Sequence, residues 1–277
     1  MAASSQSDWF ADGEAYEHYV GRWSRRVGRM FLDWLCLRAG LRWVDVGCGT
    51  GALTQTILEQ ADPSRVTGVE PSEGFLSMAR GRIHDNRAVF KSGDAMSLPL
   101  KDAEADVSVA GLVLNFVSDK QRALQEMRRI LQPGGTVASY VWDYAGEMQL
   151  MRYFWNAVSE LFPDGADYDE GKQFPICSPG PLADLFRTAN LQAVEVRALD
   201  APTVFVDFDD YWSPFLRGQG PAGSYCVSLS KDDREHLRKH LENTVPVRSD
   251  GSIHLIARAW GVRGAIPSAG HSETDPD

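Results

Sequence analysis

Cysteine is scarce in this chain: four in 277 residues, at positions 36, 48, 177 and 226, with no C-x-x-C pair among them. That spacing excludes a zinc knuckle and a secreted disulfide framework, and it fits reduced thiols in the cytoplasm. Long apolar runs are also missing. The most apolar stretch, from Val107 to Val117, is broken by Ser108, Gly111 and Asn115, and it falls short of the roughly 18 to 20 residues a membrane span needs. Positive charge is in deficit, with 28 Lys and Arg against 38 Asp and Glu and a formal charge of −10. Such a field repels polyanions, so a nucleic-acid partner is not expected. The opening MAASSQSDWF has neither a basic segment followed by an apolar core nor an Arg-rich amphipathic pattern, so no secretory or organelle address is expected.

What is present is globular: 43% hydrophobic and 24% charged residues, in a length that one α/β domain can fill. Short β-rich runs alternate with helical stretches, at 41–47, 65–70, 88–93, 106–113, 135–142, 191–200 and 252–262. This alternation predicts an α/β fold of Rossmann-like type, a seven-stranded mostly parallel sheet with helices on both faces. ALTQTILEQA (52–61) and DKQRALQEMRRILQPGG (119–135) read as crossover helices, the second capped by Asp119 and ended by a tight turn at Pro133, Gly134 and Gly135. Residues 1–38 are expected to form an N-terminal tail and helical cap. Residues 39–263 are expected to be the main domain, with insertions near 145–185 and 207–224, and 264–277 a disordered tail.

The sharpest local signal is VDVGCGTGALT (44–54), an apolar strand running into a glycine cluster that opens a helix. Gly47 and Gly49 let backbone approach a ligand closely, and the helix start offers unpaired N–H groups. Gly47, Gly49 and Ala52 also satisfy the degenerate dinucleotide fingerprint, so a nicotinamide-binding dehydrogenase is the competing reading. Asp45 weighs against it: a carboxylate there repels a pyrophosphate but accepts hydrogen bonds from a cationic ligand.

With these motifs in order, residues 44–140 resemble a class I S-adenosylmethionine-dependent methyltransferase of the small-molecule type grouped with the ubiquinone and menaquinone biosynthesis enzymes. The resemblance implies that Glu70, in VTGVEPSEGF (66–75), takes the two ribose hydroxyls. It implies that Asp94, in SGDAMSLPL (92–100), takes the adenine amine, with Ala95 and Met96 beside the base. Gly111 and Leu112 would lie along the methionine moiety. It further implies an antiparallel last strand, supplied here by 252–264. S-adenosyl-L-methionine is then the cofactor, and the expected acceptor is a small, apolar or aromatic molecule methylated at O, C or N. A cofactor-binding protein without transfer activity and a protein or RNA methyltransferase remain as alternatives.

Methyl transfer is an in-line displacement that requires positioning and water exclusion but no metal. A base is needed only when the acceptor arrives protonated. His18, Tyr19, Asn115, Asp143 and Tyr144 are candidates, and no catalytic residue is assigned. Tyr19 and Trp23, one helical turn apart, either cover a sulfonium by cation–π contact or pack the cap. Arg22, on a neighbouring face, is a candidate partner for the methionine carboxylate. His236 and His240 have metal-ligand spacing but lack the accompanying glutamate, which leaves a solvated helix face as the expectation. Cys48 is expected to be a small filler in the glycine turn.

Overall fold

The computed structural model describes residues 22–268. Seven strands form one sheet in the order β3-β2-β1-β4-β5-β7-β6, with β1 Arg42–Val46, β2 Arg65–Glu70, β3 Ala88–Ser92, β4 Ala105–Gly111, β5 Leu131–Trp142, β6 Gln192–Phe205 and β7 Ile253–Ala265. Strands β1 to β5 pair in parallel, and β7 runs antiparallel. The expected fold class is therefore observed.

The described residues group into two compact units. One comprises residues 31–141, 179–197 and those from 261 onward; the other comprises 142–178, 198–260 and those before 31. In the first, β1 and β2 are almost wholly buried, as parallel strands covered on both faces must be, which explains their near-continuous Val-rich sequences. The crossover helices α2 (Ala52–Gln60), α3 (Glu73–Arg82) and α4 (Lys120–Arg129) bury Ile57, Leu76, Leu124 and Met127. Asp119 caps α4 by accepting from the Arg122 N–H, as its sequence position predicts. In the second unit, α5 (Gln149–Leu161) contributes Phe154, stacked at 4.5 Å on Phe215, and Trp155. This unit also holds α10 (Lys231–Thr244) and the short helices α6 (Glu170–Gln173), α8 (Phe208–Trp212) and α9 (Gly220–Ser228). Helix α7 (Pro179–Thr188) belongs to the first unit, and α1 (Arg22–Leu35) supplies residues to both.

Two expectations about the chain's course need correction. Pro133, Gly134 and Gly135 do not precede β5 but lie inside it. The pairing with β4 slips from Ala105↔Leu131 to Val107↔Thr136, so the extra residues bulge out, with Gly134 at φ 79° supplying the left-handed step. The first residues of the tail expected from 264 are ordered instead, because β7 continues to Ala265 and the Ile266 N–H donates to the Gly135 carbonyl at 2.9 Å, while those from 269 lie outside the described residues. The second edge of the bulge thus finds a backbone partner, which polar composition alone does not reveal. Among the described residues no helix is long and apolar enough to cross a membrane.

Candidate functional site

Three acids stand at or just beyond the carboxyl ends of β1, β2 and β3, where open α/β sheets receive ligands. Asp45, the penultimate residue of β1, is buried, and its Oδ2 accepts from the Thr54 hydroxyl of α2 at 2.7 Å. Withdrawal from water raises its carboxyl to about 7, a rise that the Thr54 hydrogen bond opposes and the nearby Glu70 charge reinforces. Thr54 was not anticipated; its position nine residues after an acid carries no recognisable pattern.

Glu70 ends β2 and is also buried. Oε2 accepts from the Gly49 N–H at 3.1 Å and Oε1 from the Ser72 N–H at 3.0 Å. Burial raises its pKa, and the two backbone donors oppose the rise. Each carboxylate oxygen can accept more than one hydrogen bond, so the pair of N–H groups aims the carboxylate while leaving acceptor capacity. The glycine turn and the second acid are therefore one assembly, a link invisible to motif reading.

Gly47, Gly49 and Gly51 all have positive φ, at 71°, 52° and 88°, but the space around them differs. A Cβ at Gly47 would meet Val113 at 2.6 Å, and one at Gly51 would meet Ile83 at 2.7 Å. At Gly49 nothing lies within 4 Å. Gly47 thus serves close packing of the β4 loop, and Gly49 faces open space. Gly51 stands at the N-terminus of α2 without a side-chain cap.

Asp94 follows β3. The Gly93 N–H donates to the Glu70 carbonyl at 3.3 Å, which ties this segment to the end of β2. Asp94 is exposed, and its Oδ1 accepts from the Met96 N–H at 2.7 Å, with Ala95 at the crest of the turn. Leu112, just past β4, takes φ 60° and donates its N–H to the Tyr140 carbonyl at 2.8 Å. A branched residue in the left-handed region is strained, and such strain gathers at binding sites. Gly111 is filled in by Tyr140 and Leu53. Asn115 is buried, and its Nδ2 has no hydrogen-bond partner among the described residues.

Tyr19 and His18 lie outside the described residues, as do residues 1–21 of the expected tail and cap. Arg22 begins α1. Trp23 is buried and packs edge-on to Phe205 at 5.2 Å, the packing alternative of the two. Asp143 accepts from the Glu147 N–H at 2.8 Å and so shapes the turn after β5. Cys48 is buried with its Sγ against Gly68, and burial pushes its thiol far up, as expected of a filler. His240 lies 3.2 Å from Glu160 and His236 meets Phe162 edge-on; no metal-binding cluster occurs among the described residues.

Residues 44–139 match the sequence model of a family described as a methyltransferase domain. The chain is 31% identical over 154 residues to demethylmenaquinone methyltransferase of Lactobacillus johnsonii, covering 52% of this chain and 63% of that protein. It is 34% identical over 134 residues to 27-O-demethylrifamycin SV methyltransferase of Amycolatopsis mediterranei, covering 47% of each. The chain thus spans less than two thirds of the length of these relatives. In fold it is similar to phosphoethanolamine N-methyltransferase 2 of Haemonchus contortus, solved with S-adenosyl-L-methionine, with a TM-score of 0.59 and 16% identity over 96% of this chain and 60% of that one. By sequence across residues 44–139 and by fold across the sheet, the chain resembles the class I S-adenosylmethionine-dependent methyltransferases, with the quinone methyltransferases among its relatives.

Proposed function

We propose that this protein is an S-adenosyl-L-methionine-dependent methyltransferase acting on a small, apolar or aromatic acceptor. The observation that carries the reading is the pairing of Asp45 and Glu70. Among the described residues no cation pairs with the buried Asp45 carboxylate, and near it stands a second one whose oxygens two backbone N–H groups have oriented. These residues fit the cofactor. A cationic amino-acid moiety offsets the cost of ionising Asp45, and the spare lone pairs of Glu70 suit a vicinal diol. Asp94 and Ala95 take the adenine, Gly47 shapes the turn, Gly49 admits the ligand's approach, and Leu112 lies along the methionine chain. Tyr19 and Arg22 are proposed as further cofactor-binding residues, Arg22 for the methionine carboxylate.

When bound, the cofactor supplies a methyl group on a positively charged sulfur, activated toward displacement. The protein's share is to hold the acceptor in line and keep water out, which accounts for much of the rate in such bimolecular steps. No side chain is assigned as base. Residues outside 44–139, rich in aromatics from Phe154 to Tyr225, are proposed to set acceptor choice. The net charge of −10 favours a small molecule over nucleic acid. The four cysteines lie far apart in the sequence with no C-x-x-C pair, in keeping with a cytoplasmic protein. In the same proposal, residues 1–38 form a cap and 39–263 the methyltransferase domain.

Calorimetry with S-adenosyl-L-methionine, S-adenosylhomocysteine and NAD, followed by radiolabelled methyl transfer to a metabolite extract, tests the reading. Saturable binding of the first two without NAD, and label in a small molecule, is the expected result. Binding of NAD alone overturns the cofactor; label only in protein or RNA overturns the acceptor class; binding without transfer overturns the activity.

A further inference from the structure

The loop 94–100, between β3 and β4, is held far more firmly than a surface connection requires. Four of its carbonyls accept from cationic side chains. Met96 O takes Arg122 Nε at 3.2 Å, Leu98 O takes an Arg129 guanidinium nitrogen at 3.1 Å, Pro99 O takes Lys91 Nζ at 3.2 Å, and Leu100 O takes Arg129 at 2.9 Å. The Leu98 N–H donates to Glu126 Oε2 at 2.9 Å. Glu126 is itself buried on α4 and holds Arg129 in a two-point pair, Nε to Oε1 at 2.9 Å and a second nitrogen to Oε2 at 2.8 Å. Arg122 lies 3.5 Å from the same carboxylate. One buried acid therefore orients two arginines, and these fasten the backbone of the loop.

A connection of this length normally satisfies its carbonyls with water and tolerates movement. Here the fastened residues directly follow Asp94 and Ala95, and among the described residues the Asp94 carboxylate is bonded within its own turn, to the N–H of Met96. Nothing in β3 itself restrains that carboxylate. Charge-assisted hydrogen bonds of fixed geometry are the strong ones, and an acceptor that must discriminate a base edge needs placement to within a fraction of an ångström.

We infer that Glu126, acting with Arg129 and Arg122, is a positioning residue that fixes the 94–100 loop so that Asp94 can select an adenine base by its exocyclic amine. This rests on the reading of Asp94 proposed above. Glu126 touches no ligand; it acts through the loop.

The test compares S-adenosylhomocysteine with S-inosylhomocysteine, in which an oxo group replaces the amine, by calorimetry on the full chain and on the Glu126→Gln and Arg122→Ala variants. The unmutated protein is expected to prefer the adenine compound at least about tenfold, the value of one well-placed hydrogen bond. Each variant is expected to lose at least about a threefold part of that preference while remaining folded by circular dichroism. Arg122 is half-exposed, so its removal keeps the test open should Glu126→Gln fail to fold. A variant that melts earlier yet keeps the full preference overturns the inference and leaves the network as ordinary fold stabilisation. Equal binding of both compounds by the unmutated protein overturns the reading of Asp94 instead.

Discussion

Burial raises the carboxyls of Asp45 and Glu170 to the same value, about 7, yet the two keep different company. Glu170, on α6 in the second unit, the aromatic one, accepts from the Trp155 indole N–H. Around it Trp155 tilts against Tyr225 at 5.6 Å, and Tyr225 against Tyr168 at 5.6 Å. Asp45 likewise accepts from one side chain, through the Thr54 hydroxyl. Each has a second acid nearby, Glu70 for Asp45 and Asp169 for Glu170, but the glycine turn that Asp45 enters includes Gly49, whose missing side chain leaves open space. A buried acid is thus no marker of function by itself. What separates the two is what surrounds the carboxylate, aromatic rings at Glu170 and an open glycine turn at Asp45.

The sharpest way to break this comparison uses glycines rather than acids. A valine at Gly49 fills the open space and takes a strained positive φ. We expect S-adenosylhomocysteine binding to fall more than about 100-fold in calorimetry, with a strain cost of about 1–2 kcal/mol in urea melts. In the aromatic unit a Cβ at Gly165 runs into Tyr225. Gly165→Val should lower stability by about 1–3 kcal/mol through overpacking and leave affinity alone while the protein is folded. The reverse pattern would place the ligand in the aromatic unit.

Next in size is Glu70→Ala. Losing two charge-assisted hydrogen bonds to a diol should weaken binding by about 2–4 kcal/mol, roughly 30-fold or more. The loss should be absent for a 2′,3′-dideoxy analogue of the ligand. An equal loss for that analogue would show that Glu70 only shapes the turn through Gly49 and Ser72.

A smaller effect is expected from pH. If the bound cation requires ionised Asp45, affinity should fall about tenfold for each unit below 7, because the proton must leave first. Asp45→Asn should weaken binding at pH 8 and remove the slope. A slope that persists in Asp45→Asn points to another group.

The part of the candidate site that was legible in the sequence is the part where local conformation and motif coincide. Gly47, Gly49, Glu70 and Asp94 lie within two residues of predicted strand ends, and the strands themselves announce their burial by Val-rich runs. What could not be read is interaction across the sequence. The Thr54 hydroxyl on Asp45 and the N–H groups aiming Glu70 depend on how α2 and the turn pack on β1 and β2. The different duties of Gly47 and Gly49 depend on Val113, 66 positions beyond the first of them. The glycines at 134 and 135 misled for the same reason: turn chemistry was recognised, but the bulge that absorbs it inside β5 is decided by the register against β4. The aromatic unit was least legible, since its residues serve core packing and a binding surface equally well.

The other side of the comparison supplies the last prediction. A carboxyl raised by folding keeps its proton in the native state while the unfolded chain gives it up. Glu170 therefore contributes stability that is full below the ordinary carboxylate range and is lost as pH rises through about 7. Between about pH 5 and 7 its contribution falls by about 1.4 kcal/mol per unit. Glutamine keeps an acceptor for the Trp155 N–H and cannot ionise. Glu170→Gln should thus differ little from the unmutated protein in urea melts at pH 5, become the more stable of the two by pH 8, and bind S-adenosylhomocysteine within about twofold at both. The crossing separates a neutral buried acid from one that is ionised in the fold. If Glu170 instead held a charge needed by a ligand, the variant would lose affinity at pH 8 without gaining stability, and the contrast with Asp45 would fail.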